Sequence, residues 1–554
     1  MAAQHQTYLS LRESVFSRRV SAACVVAAVA LAALAATATA QVRSGVIPRH
    51  VAARFGLTRA WNTQLEVDTG RGGVSHVTIH VSKTEYVIVK EVKYPGGHQL
   101  FSERDLDRFG DPLGIDGATK QAQWRREDLQ AKGVKDVEIL THEVPGVALY
   151  VQTDHGTLHA IDGESGRTKW VSQVGNPDYP SFAVGAADAN VAVVNGSTLY
   201  VLNAKNGQEL WTKRLGGAPG AGPAITEQRV FCPMLDGKIE VYRLEQPKRP
   251  PWIYQSAGNA LIQPTVAPNS VSWPTNRGVL YAAVRNRDIV KYRIHALDTI
   301  RAQSTWSVNP DRIYLASVDG YVYAADEKNG NIAWRFSAGD PINHSPMVVG
   351  DALYAVTDFA GMYQVDLITG EERWWTNNVK HIAAAGKERL YCVNNTGELV
   401  IYDSKSGGRI GNLRLPGVDR IIHNGQTDRI YLGSTNGMLQ CLHEIGADFP
   451  TIIFPGVSQD EEAAAQPEIQ IGAPEADKPA PPPKDPFGAD PFGADPFGGG
   501  APPDAGGGPP DAGKPADPFA DPFGAGAAPG GAAPGGGAAP GGDAADDPFA
   551  DPFG

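Results

Sequence analysis

A self-similar unit of about 41 residues constrains this chain more than any other feature. Pro223 to Gly237 (PAITEQRVFCPMLDG) and Trp306 to Gly320 (WSVNPDRIYLASVDG) both read as a strand, a short polar turn, an Arg-initiated apolar strand and an Asp-Gly turn. The turn glycines fall at Gly156, Gly196, Gly237, Gly278, Gly320, Gly361, Gly397 and Gly437, at successive spacings of 40, 41, 41, 42, 41, 36 and 40. Repetition of short strands at this period is the signature of a β-propeller. Eight turn glycines predict an all-β, eight-bladed ring over residues 56–445.

The second half of each unit has its own pattern. Ala160 to Trp170 reads AIDGESGRTKW, Ala324 to Trp334 reads AADEKNGNIAW and Gln364 to Trp374 reads QVDLITGEERW. In a hairpin, the Asp accepts backbone N–H groups of the turn and the Gly takes the positive-φ position. This assigns Asp162, Asp326, Asp366 and Asp403 to the turns, with Gly166, Gly207, Gly330, Gly370 and Gly407. A Trp then opens the outermost strand, where blades diverge and a large side chain fills the gap. Trp170, Trp211, Trp252, Trp334 and Trp374 form that row, with Tyr292 in the equivalent place of the fourth unit and Gly411 in the seventh. The eighth unit stops after its third strand, at about Leu442. Arg59 to Leu65 (RAWNTQL) is similar to Thr168 to Val174 (TKWVSQV), so Trp61 belongs to the missing outer strand.

The pattern resembles the quinoprotein-type repeat, Ala-x-Asp-x-x-Thr-Gly-x-x-x-Trp. The resemblance implies a quinoprotein-like propeller, and its enzymes hold a quinone beside a disulfide of adjacent cysteines, with calcium. No two cysteines are adjacent here, and the sequence has no C-x-x-C-H haem motif, G-x-S-x-G, H-E-x-x-H or phosphate loop. The better likeness is to the noncatalytic quinoprotein-like propellers of the outer-membrane assembly type, which implies no cofactor and protein partners.

Residues 1–40 carry Arg12, Arg18 and Arg19, an apolar stretch from Val20 to Ala36, and Ala38-Thr39-Ala40 before Gln41. These features predict a signal peptide cut after Ala40, hence an exported, periplasmic or cell-envelope protein, with membrane association only if the segment stays uncleaved. Residues 41–55 read as a linker. Cys232, Cys392 and Cys441 are too scattered for a disulfide framework, with one bridge between Cys392 and Cys441 left open.

Residues 446–554 read as a disordered Pro/Gly/Ala/Asp-rich tail. From 457 onward, seventeen acidic residues face three Lys, a net of −14, while the whole chain carries −12. The ring is therefore near neutral and has no electrostatic instruction toward nucleic acid. Seven Phe, each in Asp-Pro-Phe, stand at Phe487, Phe492, Phe497, Phe519, Phe523, Phe549 and Phe553. They form either a multivalent linear motif or plain low complexity.

Residues 94–145 break the period and predict an insertion into the first blade, with strands at 77–81 and 86–92 before it and a helix around 118–131. Asp105 to Gly110 opens like a calcium loop, but Phe109 occupies a ligand position, so a solvated turn is expected. His142 and His344 read as structural histidines. The function expected from the sequence is a noncatalytic protein-binding scaffold in the cell envelope. The alternatives are a quinone or small-ligand binder, or an oxidoreductase, using the central channel, and a binder of surface polymer or carbohydrate.

Overall fold

The computed structural model describes residues 45–453 apart from 69 and 71. The signal segment, its cut after Ala40 and the seven tail phenylalanines lie outside the described residues. Those described form eight antiparallel sheets, seven of four strands and one of five. The fold is a β-propeller of the quinoprotein-like type, and six of the sheets are plain meanders in chain order.

Burial explains the strand sequences. Inner strands such as Arg229–Pro233 and Ser270–Pro274 are buried at every residue because both faces meet a neighbouring sheet, and they read as continuous runs. The outer strand Glu209–Arg214 alternates between exposed and half-buried, as one wetted face requires. Each core is shared between two sheets. Tyr314, Val322 and Phe336 of one pack with Leu353, Ala355 and Val365 of the next.

The turn residues tie neighbouring sheets together. Asp162, Asp326, Asp366 and Asp403 each accept backbone N–H groups two or three residues on, at 2.8–3.2 Å. The indole N–H of Trp170, Trp334 and Trp374 donates to Ala204, Leu367 and Ser404 in the following sheet, at 2.9, 3.2 and 3.1 Å. A Cβ on Gly207, Gly370 or Gly407 would collide with those same three rings, and one on Gly330 would collide with Tyr292. The repeat glycine thus answers both to its positive φ and to the aromatic residue of the preceding sheet. Trp211 is half-buried against the Val201–Tyr242 core, and Trp252 packs on Tyr254 at 6.0 Å.

The last sheet is completed by β1 (Leu57–Gln64), which pairs antiparallel with the final strand Met438–Glu444, Trp61 lying opposite Cys441. The segment expected to be a linker is instead a packed strap. It carries the short helix α1 (Arg49–Ala53), with Ile47 and Ala52 buried. Gln440 holds it by accepting from Ile47 N at 3.0 Å and donating to Gly45 O at 2.8 Å. Phe55 then lies against Gly411, in the space where the seventh unit lacks its Trp.

Residues 446–453, assigned to the tail from composition, also pack on the ring. Ile453 is buried with Met347 and Ile382 of the ring, and Phe449 packs tilted against His142 of the first sheet's long hairpin, ring centroids 4.6 Å apart. Cys232, Cys392 and Cys441 are free and buried in three different cores, so the bridge left open between Cys392 and Cys441 is not formed.

In the first sheet, β2 (Val74–Tyr94) and β4 (Glu138–Thr153) run on beyond the propeller as one long hairpin. The two strands read at 77–81 and 86–92 are one, irregular between Val81 and Tyr86. Its far end adds β3 (Gly97–Ser102) and α2 (Gly114–Ala131), whose Ala118, Ala122 and Leu129 pack on Val92 and Phe101. This arm is a small second core on the rim. Asp107 spends its side chain on the N–H groups of Phe109 and Asp111, which makes the Asp105–Gly110 segment a self-satisfied turn.

Candidate functional site

Where the arm leaves the ring, it closes one side of a cleft of about 440 Å³ between the first and second sheets. Its apolar wall is Leu106, Pro112, Ala148, Tyr150 and Ala204. Leu106 is 44% exposed. The charged wall has the cations Arg104, Arg167, Lys169 and Lys205 and the carboxylates Glu85, Asp162 and Asp188.

Internal bonds occupy the carboxylates. Asp188 accepts from His80 Nε2 at 2.8 Å, Thr84 Oγ1 at 2.9 Å and Lys83 N at 3.1 Å. The His80 hydrogen bond, with those of Thr84 and Lys83, holds its pKa well below the ordinary carboxylate range despite burial. Asp162 accepts from Ser165 N and Oγ on one oxygen and from Arg104 on the other, while Glu85 meets Arg104 at 3.2 Å. Lys169 and Lys205 differ, since among the described residues neither ammonium has a hydrogen-bond or ion-pair partner. Lys169 is exposed, yet desolvation by the surrounding walls and then the nearby Arg104 guanidinium lower its pKa, against the pull of Asp162 and Glu85.

The inner wall of the ring holds a second cluster. His344, His381 and His423 come from three successive sheets, with the first two rings 4.8 Å apart. His423 Nδ1 donates to Ile382 O at 3.1 Å. Desolvation by the surrounding protein is the main cause that lowers all three, although His344 and His381 are half-buried and His423 exposed; neighbouring imidazoles reinforce it at His381 and His423, and His381 falls to about 4. Asp358 opposes the shift at His344, and Lys380 adds to it at His344 and His381. Neutral rings are the folded form, so their stabilisation is full above pH 6.5 and is lost as the pH falls toward 4. We expect the unfolding free energy to drop across that window, and His381→Gln to recover ~2 kcal/mol of the loss at pH 4. Urea titrations of both proteins at pH 7 and pH 4 check this; parallel losses would exclude the cluster as a cause.

Among the described residues, no three His, Cys, Asp or Glu side chains are placed to hold a metal ion. No described helix is long and apolar enough to cross a membrane. Of the residues given a role from the repeat, only Asp162 lines the cleft, joined by Leu106 of the Asp105–Gly110 segment, while the repeat Trp and Gly residues stand at the contacts between sheets. His142 bonds Glu91 at 2.7 Å on the arm, away from His344. Lys169 and Lys205 were not singled out. Their only local signal is a lysine in an outer strand and another in a repeat turn, and what matters is that the arm faces both.

The repeats, the turn chemistry and the sheet order define a quinoprotein-like β-propeller. The more particular likeness is to outer membrane protein assembly factor BamB, whose family model matches residues 181–285 and 318–414. BamB of Shewanella oneidensis is 21% identical over 222 residues, 38% of this chain and 46% of that protein. BamB of Xanthomonas campestris pv. campestris is 36% identical over 88 residues, 14% of this chain and 21% of that protein. The chain thus spans less than half the length of these curated relatives. Among solved structures, BamB of Moraxella catarrhalis aligns with a TM-score of 0.44 at 17% identity, over 53% of this chain and 91% of that one.

Proposed function

We propose that this protein is an exported, noncatalytic scaffold that binds partner proteins in the cell envelope, on the side of the outer membrane where assembly factors work. The observation that carries the reading is the match of the BamB family model to two separate runs of repeats. The arm supports it. A closed ring leaves few strand edges, whereas the arm projects Trp124 at 67% and Phe109 at 74% exposure, the type of side chain that anchors protein contacts. Crosslinking followed by affinity capture of the tagged full chain from its native host should recover a small, reproducible set of envelope proteins. A yield no different from that of a tagged unrelated exported protein would overturn the proposal.

A further inference from the structure

We infer that the cleft between the arm and the first two sheets is a binding site for an acidic peptide segment, carboxylates on Lys169 and Lys205 and an apolar side chain against Leu106, Pro112 and Ala204. Three observations carry this. Two of the three carboxylates in the wall are occupied internally, Asp188 by His80, Thr84 and Lys83 and Asp162 by Ser165 and Arg104, while Glu85 meets Arg104 through one oxygen. Four cations stand against three carboxylates in the lining, so the excess charge of the cleft is positive, and two of the cations are ammonium groups from neighbouring sheets.

Arg104 is fixed by its carboxylates, and Arg167 is anchored by donating from one guanidinium nitrogen to Arg104 O at 2.7 Å, which leaves its other nitrogens for a ligand. A charged wall of this type selects against cations and raises the encounter rate of anions. The opposite wall is apolar, with Leu106 exposed, and a bare inorganic anion would leave that wall wet. A peptide satisfies both walls together, because one backbone carries carboxylate and apolar side chains side by side.

The inference deepens the scaffold reading by naming the chemistry of one partner contact, and it rests on that reading only in making the occupant a protein. It is tested on the purified full chain, so an empty cleft and an empty capture from the native host are separate results.

The probe is a fluorescein-labelled Gly-Asp-Asp-Phe-Asp-Gly peptide, with Gly-Asn-Asn-Phe-Asn-Gly and Gly-Asp-Asp-Gly-Asp-Gly as comparisons, read by fluorescence anisotropy at several salt concentrations. The Asp/Phe peptide should bind at least tenfold more tightly than either comparison and should weaken steadily with salt. The double variant Lys169→Gln/Lys205→Gln should lose at least tenfold in affinity while its melting temperature stays within a degree or two, since both side chains are solvent-facing. Arg214→Gln, a surface cation of the second sheet outside the cleft, should bind like the parent. Equal binding of the Asp and Asn peptides, unchanged binding by the double variant, or displacement by inorganic phosphate at the same concentration as the peptide would each overturn the proposal.

Discussion

Removing residues 56–66 is expected to abolish the cooperative unfolding transition of the ring or to move it far down the urea axis. The deletion takes out β1, leaving the last sheet with three strands and the edge of Met438–Glu444 unpaired, a template for aggregation. It also takes out Trp61, 8% exposed in the core shared by the last and first sheets with Val147, Leu149 and Tyr431. The Trp61 indole N–H donates to Gly163 O at 2.8 Å and its ring covers Gly166, to whose carbonyl Thr63 Oγ1 donates at 2.8 Å. Trp61→Ala alone should cost about 3–5 kcal/mol, the usual range for emptying a buried aromatic site. The comparison is a chain shortened at residue 456, which keeps every contact described above and should unfold at the parent's midpoint. Equal midpoints for the 56–66 deletion and the parent would show that the seam does not hold the ring.

The second large effect is expected at Arg429. Its guanidinium is 2% exposed and crosses the same seam to Glu164, with Nε and NH2 3.0–3.2 Å from the carboxylate, while NH1 is taken by Asp428 Oδ1 at 3.2 Å and Ala447 O at 3.0 Å. Arg429→Met keeps most of the volume but leaves Glu164 and Asp428 facing the vacated space without a cation. Breaking one side of a fully buried pair costs about 3–5 kcal/mol, and because Glu164 is 30% exposed the loss is expected toward the lower end. Glu164→Gln in the same background should return a good part of that loss, because the stranded charge and not the missing contact dominates. Urea denaturation of the two single variants and the double variant measures the coupling. Additive losses would mean that the two groups act independently.

These seam contacts show where sequence reading stops. The Asp-x-x-x-Gly turns, the Trp row and the spacing of turn glycines were legible because each depends on contiguous residues whose chemistry repeats in every unit. Trp61 was legible as a strayed outer strand because its neighbours copy Thr168 to Val174. The strap was not, since Ile47, Ala52 and Phe55 have no repeat to copy, and their partners Gln440 and Gly411 lie hundreds of residues away. Gly411 read only as a departure from the Trp pattern. It is the vacancy that lets the strap's Phe55 dock. The Arg429–Glu164 bridge spans 265 residues and leaves no local trace. The cleft was equally hidden, because an insertion announces that it exists but not which sheet turns it will face.

The register of the closing strand pair also fixes how the ring answers to mechanical force. Leu57 lies opposite Glu444, so the chain enters and leaves the seam at the same end. Tension between the two flanks would load the ladder one residue pair at a time, peeling it like a zip instead of shearing all its bonds at once. The strap before Leu57 and the packed segment after Glu444 lie directly in that path, and each must detach from the ring before the first pair of the ladder feels the load.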